Sequence, residues 1–260
     1  KNMRIQTLGD SRKPVIIMLP GSFCQSASLK YLYERLTADY YVILPEYNGH
    51  YENSTFTTRQ NEAKEVKEYI LKSGIDHIRM LYGQSMGAEV TIELLRQLLE
   101  SHIEVDHCFL DGAPCTKLSP MYKKVMYLKF KSMISMIRKK DIDSLLNSGM
   151  IKKFSHGDTE SLRPVLEALA AQASVLTNET IKNETECCYT FDFPAFDDAT
   201  QKKMHFLYGG SEKAYRLCYE GVKKAYPLAE YTIVEGYGHL TYSIKETDAY
   251  MKLLLSICEQ

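Results

Sequence analysis

The sequence lacks both a long apolar run and an excess of charge of one sign. No uninterrupted apolar stretch approaches the roughly 18 residues that a membrane-spanning helix needs. The 32 basic and 33 acidic residues leave a net charge of -1, which removes the electrostatic argument for binding nucleic acid. We therefore expect a globular protein without stable membrane insertion, and its 260 residues suffice for one sizeable core.

Paired cysteine motifs are also missing. The seven cysteines form no CxxC pair, so the spacing of a zinc site or a redox-active pair is absent, and Cys187 and Cys188 are simply adjacent. The first ten residues alternate polar and apolar side chains and do not show the basic patch and apolar block of an export signal. Reduced thiols in a cytoplasmic protein are the simplest interpretation.

Short apolar runs separated by helical patterns are what the sequence does contain. Continuous apolar runs of strand length are typical of strands buried in a parallel sheet. Apolar residues recur with helical spacing at 28–38, 61–73 and 86–100, and again in the last stretch of the chain. This order predicts an α/β fold with a mostly parallel central sheet flanked by helices. The predicted strands are residues 15–19, 42–44, 78–82, 108–110, 204–208 and 231–234.

The alternation of strands and helices breaks between about residues 119 and 200. Helical patterns follow one another there without a clear strand, so we interpret this segment as an inserted helical lid. The predicted organisation is a core formed by residues 1–118 and 201–260, with the lid at 119–200. No internal repeat and no low-complexity linker separates the two parts.

The most informative motif is Gly83-Gln84-Ser85-Met86-Gly87, which follows a predicted strand and opens a predicted helix. The two glycines permit a turn tight enough to hold Ser85 in a strained conformation, with its hydroxyl above the sheet. The turn also places the positive end of a helix dipole beside the hydroxyl, which favours an oxyanion. In this context we predict that Ser85 is a nucleophile.

A serine hydroxyl is a poor nucleophile until a neighbouring base accepts its proton. His239 follows the last predicted strand in the segment Gly236-Tyr237-Gly238-His239, where a loop can place an imidazole over the strand ends. We expect His239 to be the general base. The alternative interpretation is a loop histidine that caps the final helix.

A carboxylate should orient the histidine, and two candidates compete for this role. Glu212 follows the predicted strand 204–208 through Gly209-Gly210-Ser211, and Asp111 follows the predicted strand 108–110. Both would lie at the carboxyl edge of the sheet. We favour Glu212 from its place in the chain order, with Asp111 as the alternative acid; the other carboxylate would brace a loop.

An oxyanion hole needs two backbone N–H donors. Met86, directly after the nucleophile, is expected to supply one. The second is expected from the turn after strand 15–19, which reads Leu19-Pro20-Gly21-Ser22-Phe23, so that Ser22 or Phe23 is the candidate. A plain strand-ending turn is the alternative interpretation of this Pro-Gly pair.

In this order and on these elements, the residues resemble the α/β-hydrolase superfamily over nearly the whole chain outside the lid. The resemblance implies that His50, in a segment similar to the loop after the next strand of these enzymes, braces the rim of the active site. Two positions depart from the family pattern: Pro20 stands where many members have histidine, and Glu212 where aspartate is usual. The first barely affects mechanism, because the oxyanion hole uses backbone N–H groups.

A basic segment opens the predicted lid. Residues 112–140 contain no acidic side chain, and methionines and aromatic residues are interleaved with the basic ones, which suits an adaptable apolar pocket for an acyl or aromatic group. Alternatively, an amphipathic helix buries these apolar side chains and its lysines are solvated, or the acidic, aromatic stretch 184–198 pairs with it. The basic residues are Lys117, Lys123, Lys124, Lys129, Lys131, Arg138, Lys139 and Lys140.

These observations predict acyl transfer to water on a small-molecule ester or related substrate, with no metal and no organic cofactor. Thioesterase, amidase, carbon–carbon bond hydrolase and acyltransferase activities are alternatives, because one fold hosts many chemistries. A non-catalytic ligand-binding protein is the rival from another class. A peripheral lipid hydrolase whose basic lid contacts anionic membranes is a third hypothesis. The sequence contains no signal for an oligomeric state.

Overall fold

The computed structural model describes residues 3–154 and 158–260, which are built around a seven-stranded sheet. The order across the sheet is β1-β3-β2-β4-β5-β6-β7. β1 is antiparallel to β3, and every other neighbouring pair is parallel. The strands are β1 (Arg4–Leu8), β2 (Val15–Leu19), β3 (Tyr41–Glu46), β4 (His77–Gln84), β5 (Glu104–Asp111), β6 (Met204–Gly209) and β7 (Glu230–Val234).

All six predicted strands are confirmed. β2 has the predicted bounds, and the other five strands are somewhat longer than the apolar runs from which they were predicted. β1 was not predicted. It lies at the edge of the sheet, where Arg4 pairs with Glu46, and its residues alternate in exposure because one face of an edge strand meets solvent. The continuous apolar runs of the inner strands do not share that pattern.

Helices cover both faces of the sheet and fill the segment between β5 and β6. The helix predicted at 86–100 is confirmed at its bounds, and the one at 61–73 is shifted by one or two residues. The helices are α1 (Lys30–Tyr33), α2 (Arg59–Lys72), α3 (Met86–Glu100), α4 (Pro120–Lys139), α5 (Ile142–Leu146), α6 (Gly149–Phe154), α7 (Arg163–Gln172), α8 (Asn178–Tyr189), α9 (Asp198–Gln201), α10 (Lys213–Ala225), α11 (Thr241–Lys245) and α12 (Thr247–Cys258).

The helix predicted at 28–38 is shorter than expected. A 3-10 turn at Ser26–Leu29 leads into α1, after which the N–H groups of Arg35 and Leu36 donate to carbonyls three residues earlier. These tighter turns replace the α-helical bonds. The apolar face was predicted correctly, since Leu29, Leu32 and Leu36 are all buried.

Alternation along the strands divides the core into two layers. In β2, Ile17 and Leu19 face the layer formed with α2, α3 and α10, whereas Ile16 and Met18 face the layer formed with α1 and α12. The inner strands bury their side chains in both layers, which explains why these strands read as unbroken apolar runs. Because these strands are parallel, the loops after β2, β4, β5, β6 and β7 all lie at the carboxyl edge of the sheet.

The segment between β5 and β6 forms α4 to α9, and its described residues contain helices and no named strand, as predicted. Most of its buried apolar side chains form a third cluster, which includes Phe23 from the core. Residues 1–2 of the predicted core and 155–157 of the predicted lid lie outside the described residues. That this segment works as a lid stays a prediction. None of the described helices combines the length and hydrophobicity needed to cross a bilayer.

Candidate active site

Ser85 lies on a sharp turn between β4 and α3. Its backbone has φ 52° and ψ -122°, a conformation that is costly for any residue other than glycine. The N–H of Ser85 donates to the carbonyl oxygen of Asp111 at 2.8 Å, which ties the turn to the end of β5. The side chain is partly exposed, so a substrate can reach the hydroxyl.

The two glycines of the motif are required by close packing. A Cβ at Gly83 would lie 2.4 Å from the carbonyl oxygen of Gly87, and a Cβ at Gly87 would lie 2.3 Å from that of Pro20. Distances of this size are well inside van der Waals contact. The start of α3 can therefore approach β4 and the loop after β2 only when both positions lack a side chain.

Three side chains from distant parts of the chain meet in a line. His239 Nε2 lies 3.0 Å from Ser85 Oγ, and His239 Nδ1 lies 3.1 Å from Glu212 Oε2. Both separations are hydrogen-bond distances. Glu212 is fully buried, whereas the side chain of His239 is 27% exposed. The arrangement can move a proton from the hydroxyl to an imidazole whose far side is held by a carboxylate.

Two opposing influences set the basicity of His239. Burial lowers its pKa, but the hydrogen bond and charge of Glu212, together with the charge of Asp111, raise it more. The pKa of His239 consequently lies above its ordinary value of 6.5. Glu212 therefore favours the protonated form of His239.

Asp111, the alternative acid, has a different partner. Its Oδ2 accepts a hydrogen bond of 2.7 Å from the Tyr250 hydroxyl of α12, and that hydroxyl also lies 2.6 Å from the Tyr82 hydroxyl. Burial is the main influence that raises the pKa of Asp111, to about 7. Asp111 thus joins β5 to α12 beneath the site and makes no hydrogen bond to His239 among the described residues.

The candidate oxyanion donors lie at the start of α3 and on the loop after β2. Met86 is the first residue of α3, so its N–H belongs to the turn in which intrahelical acceptors are missing. A Cβ at Gly21 would lie 3.5 Å from Ser85 Cβ, which puts the loop after β2 next to the hydroxyl. The N–H of Phe23 already donates to Glu184 Oε1 at 3.4 Å. Ser22 is therefore the freer of the two candidates on that loop.

His50 forms a buried pair with Glu184 of α8. Its Nε2 lies 2.7 Å from Glu184 Oε1, and its Nδ1 lies 3.0 Å from the carbonyl oxygen of Cys24. Burial lowers the pKa of His50, but the carboxylate of Glu184 outweighs it and raises the pKa overall. The pair joins the loop after β3, the loop after β2 and α8, which agrees with the expected bracing position of His50.

The basic segment 112–140 contacts the acidic stretch 184–198, as one of the sequence alternatives proposed. Lys123 lies 2.7 Å from Glu186, and Lys117 forms an ion pair with Asp192. On its inner side the ring of Phe130 packs edge-on against Phe23 with centroids 5.2 Å apart. The middle of α4 therefore touches the loop after β2, which borders Ser85.

Comparison with solved structures gives the same architecture over almost the full length. An α/β-hydrolase family protein from Desulfitobacterium hafniense superposes with a TM-score of 0.75 at 16% identity, covering 98% of this chain and 99% of that one. A carboxylesterase from Nitrososphaera gargenis gives 0.74 at 15% identity, covering 99% and 95%. An enol-lactonase from Burkholderia xenovorans gives 0.71 at 14% identity, covering 99% and 96%. The chain has the α/β-hydrolase fold.

At these identities the likeness concerns the fold alone. No protein-family model matches the sequence, and no curated protein matches it. Within the α/β-hydrolase fold, the residues brought together at the carboxyl edge of the sheet are Ser85, His239 and Glu212, whereas Asp111 lies nearby with a separate partner. The roles of these residues must therefore be inferred from the chemistry of their side chains and not from the structural neighbours.

Several residues of the site gave no recognisable sequence signal. Cys188 and Tyr250 belong to helices whose patterns indicate only packing, and Glu184 stood out only as part of the acidic stretch 184–198. Yet Glu184 accepts a hydrogen bond from the N–H of Phe23, and Cys188 Sγ lies 3.3 Å from Ser22 Oγ. Gly112 has φ +64°, and its position two residues after the predicted strand 108–110 is a signal that could have marked it.

We expect Gly112→Ala to damage the site. The added Cβ would lie 2.7 Å from His239 Cε1 and 2.8 Å from Nδ1, and the positive φ is strained for alanine. Displacing the imidazole by about 1 Å should lower kcat roughly a hundredfold, with a loss of about 1–3 kcal/mol in stability. Esterase assays and thermal unfolding measure the two effects.

Gly221→Ala is the matched control. Gly221 lies inside α10, and no neighbouring heavy atom comes within 4 Å of an added Cβ there. Alanine should stabilise that helix by about 0.5–1 kcal/mol and leave kcat unchanged. Full activity of Gly112→Ala would show that the close approach to His239 has no effect on the reaction.

Proposed function

We propose that this protein is a serine hydrolase that cleaves a carboxylic ester or a related small-molecule acyl substrate through an acyl-enzyme intermediate. The observation that carries the proposal is the line of hydrogen bonds from Ser85 Oγ through His239 to the buried Glu212. The names of two structural neighbours, a carboxylesterase and an enol-lactonase, agree with ester chemistry.

In the first half of the reaction, Ser85 Oγ attacks the substrate carbonyl carbon while its proton passes to His239 Nε2. Glu212 holds Nδ1–H, which fixes the tautomer and stabilises the imidazolium. The carbonyl oxygen becomes an oxyanion, and we assign the N–H groups of Met86 and Ser22 as its donors. Collapse of the tetrahedral intermediate transfers the proton to the leaving alkoxide and leaves an acyl ester on Ser85.

The second half regenerates the serine. Water attacks the acyl carbon and gives its proton to His239 Nε2, and the second tetrahedral intermediate then releases the carboxylic acid as Ser85 Oγ regains a proton. Because His239 and Ser85 are both partly exposed, water and a small substrate can reach the reacting atoms.

A fluorophosphonate probe tests the proposal directly. An activated serine displaces fluoride and becomes phosphonylated, whereas an ordinary hydroxyl does not react. We expect labelling of the wild-type protein at Ser85 by mass spectrometry and no labelling of Ser85→Ala. A folded wild-type protein that stays unlabelled would instead support a non-catalytic ligand-binding role.

The pH profile should report on His239. The imidazole must be neutral to accept the serine proton, so activity is lost as the pH falls through its pKa. Since Glu212 raises that pKa above 6.5, the acidic limb of kcat/KM should have its midpoint above this value. In Glu212→Gln only the lowering effect of burial and the weaker effect of Asp111 remain, so the limb should move to lower pH. An unchanged midpoint would exclude this coupling.

A further inference from the structure

The outer side of α4 exposes an apolar stripe. Eight large apolar side chains are exposed among the described residues, and four of them lie within the first nine residues of this helix. Isolated exposed apolar residues are ordinary, but a contiguous set marks a surface that binds something. The four side chains and their exposed fractions are Met121 (69%), Tyr122 (60%), Val125 (43%) and Leu128 (53%).

Lysines border this stripe on both sides. Successive helical residues are rotated by about 100°, so Met121, Val125 and Leu128 share one line along the helix. Lys124 and Lys131 fall on one side of that line and Lys129 on the other. All three lysines are exposed, and within the described ranges none of them pairs with a carboxylate.

We propose that this face of α4, defined by Met121, Tyr122, Val125 and Leu128, docks on an anionic lipid surface. Apolar side chains that enter the acyl boundary, with lysines at the level of the phosphates, are how an amphipathic helix lies in a membrane interface. Residues 112–140 contain no acidic side chain that anionic lipid would repel. The inference concerns binding and does not depend on the catalytic proposal.

The charge pattern favours lipid over other occupants. A two-fold dimer would pack this face against its own copy and bring lysines against lysines, which costs free energy. A nucleic acid would satisfy the lysines but leave the four apolar side chains in water. Anionic lipid is the partner that satisfies both components of the surface.

Vesicle flotation tests the proposal with the whole 260-residue chain. We expect at least tenfold stronger binding to phosphatidylcholine vesicles containing about 30% phosphatidylglycerol than to phosphatidylcholine alone, weakening as salt is raised. Lys124→Gln/Lys129→Gln/Lys131→Gln should abolish the preference for anionic vesicles. Val125→Ser/Leu128→Ser should reduce binding at least about tenfold and keep its salt dependence.

The control variant is Leu71→Ser/Leu217→Ser, which removes exposed leucines of α2 and α10. It should bind like the wild type, as should Ser85→Ala, and circular dichroism checks that every variant is folded. Equal binding of the wild type to both vesicle types, or wild-type binding by the α4 variants, would overturn the proposal. So would a dimer in solution that Val125→Ser/Leu128→Ser dissociates in the absence of vesicle binding.

Discussion

Replacing Ser85 by alanine should lower kcat for an ester substrate by about a million-fold, and replacing His239 by alanine should cost about as much. In the proposed mechanism the nucleophile and the base act as one unit, because the Ser85 hydroxyl, 3.0 Å from His239 Nε2, would react only when the imidazole takes its proton. The double variant should therefore be no slower than either single variant. Steady-state hydrolysis of an activated ester measures all three.

The residual activity of these variants is informative as well. A rate above that of water should remain, since the N–H groups that we assign to the oxyanion hole, those of Met86 and Ser22, would still polarise a bound carbonyl. Thermal unfolding of each variant is the control for folding. If Ser85→Ala retained most of the activity, or if the two effects multiplied in the double variant, the shared mechanism would be wrong.

Glu212→Gln should lower kcat roughly ten-thousandfold, whereas Asp111→Asn should lower it less than about tenfold. The amide at 212 no longer provides the negative charge that fixes the tautomer of His239 and stabilises its protonated form. Asp111 accepts a hydrogen bond from Tyr250, its pKa is about 7, and an asparagine oxygen can accept the same bond. The two substitutions are both isosteric, so each is the control for the other.

This comparison decides between the two carboxylates that the sequence left open. The kcat of both variants should be measured at one pH at which the wild type is fully active. The loss of activity is then not confused with a shift in the pKa of His239. A large loss in Asp111→Asn with little loss in Glu212→Gln would reverse the assignment. Tyr250→Phe adds a further check, because it removes the donor to Asp111 and leaves the Glu212–His239 contact in place.

Much of the fold could be predicted because its determinants are local. A strand buried on both faces, such as β2, needs apolar residues at every position, so Val15–Leu19 was visible as a run with the correct bounds. The turn at Ser85 needs glycine on both sides, because the packing of α3 leaves no room for a Cβ there. β1 was missed because an edge strand needs only alternation, which is a weaker signal.

The partners of the site could be predicted only in part. That a histidine near the end of the chain should approach Ser85 followed from the order of the strands, although the two residues are 154 positions apart. Glu184 was invisible as a partner of His50 and Phe23, because a glutamate inside a polar helical pattern indicates only a solvated face. The sequence of α8 alone does not indicate which loops this helix contacts in the folded protein.

The element order, the inner strands and the strained serine turn could all be predicted from the sequence, since each depends on residues that are neighbours in the chain. The carboxylate that contacts His239 could be identified only from the folded protein, because Glu212 and Asp111 both follow strands that end at the same edge of the sheet. The two carboxylates differ in their hydrogen-bond partners. Tyr250 of α12 donates a hydrogen bond to Asp111, whereas the loop after β7 brings His239 to Glu212. The exposed side of α4 was likewise decided by packing, because its inner residues were buried by the rest of the helical segment.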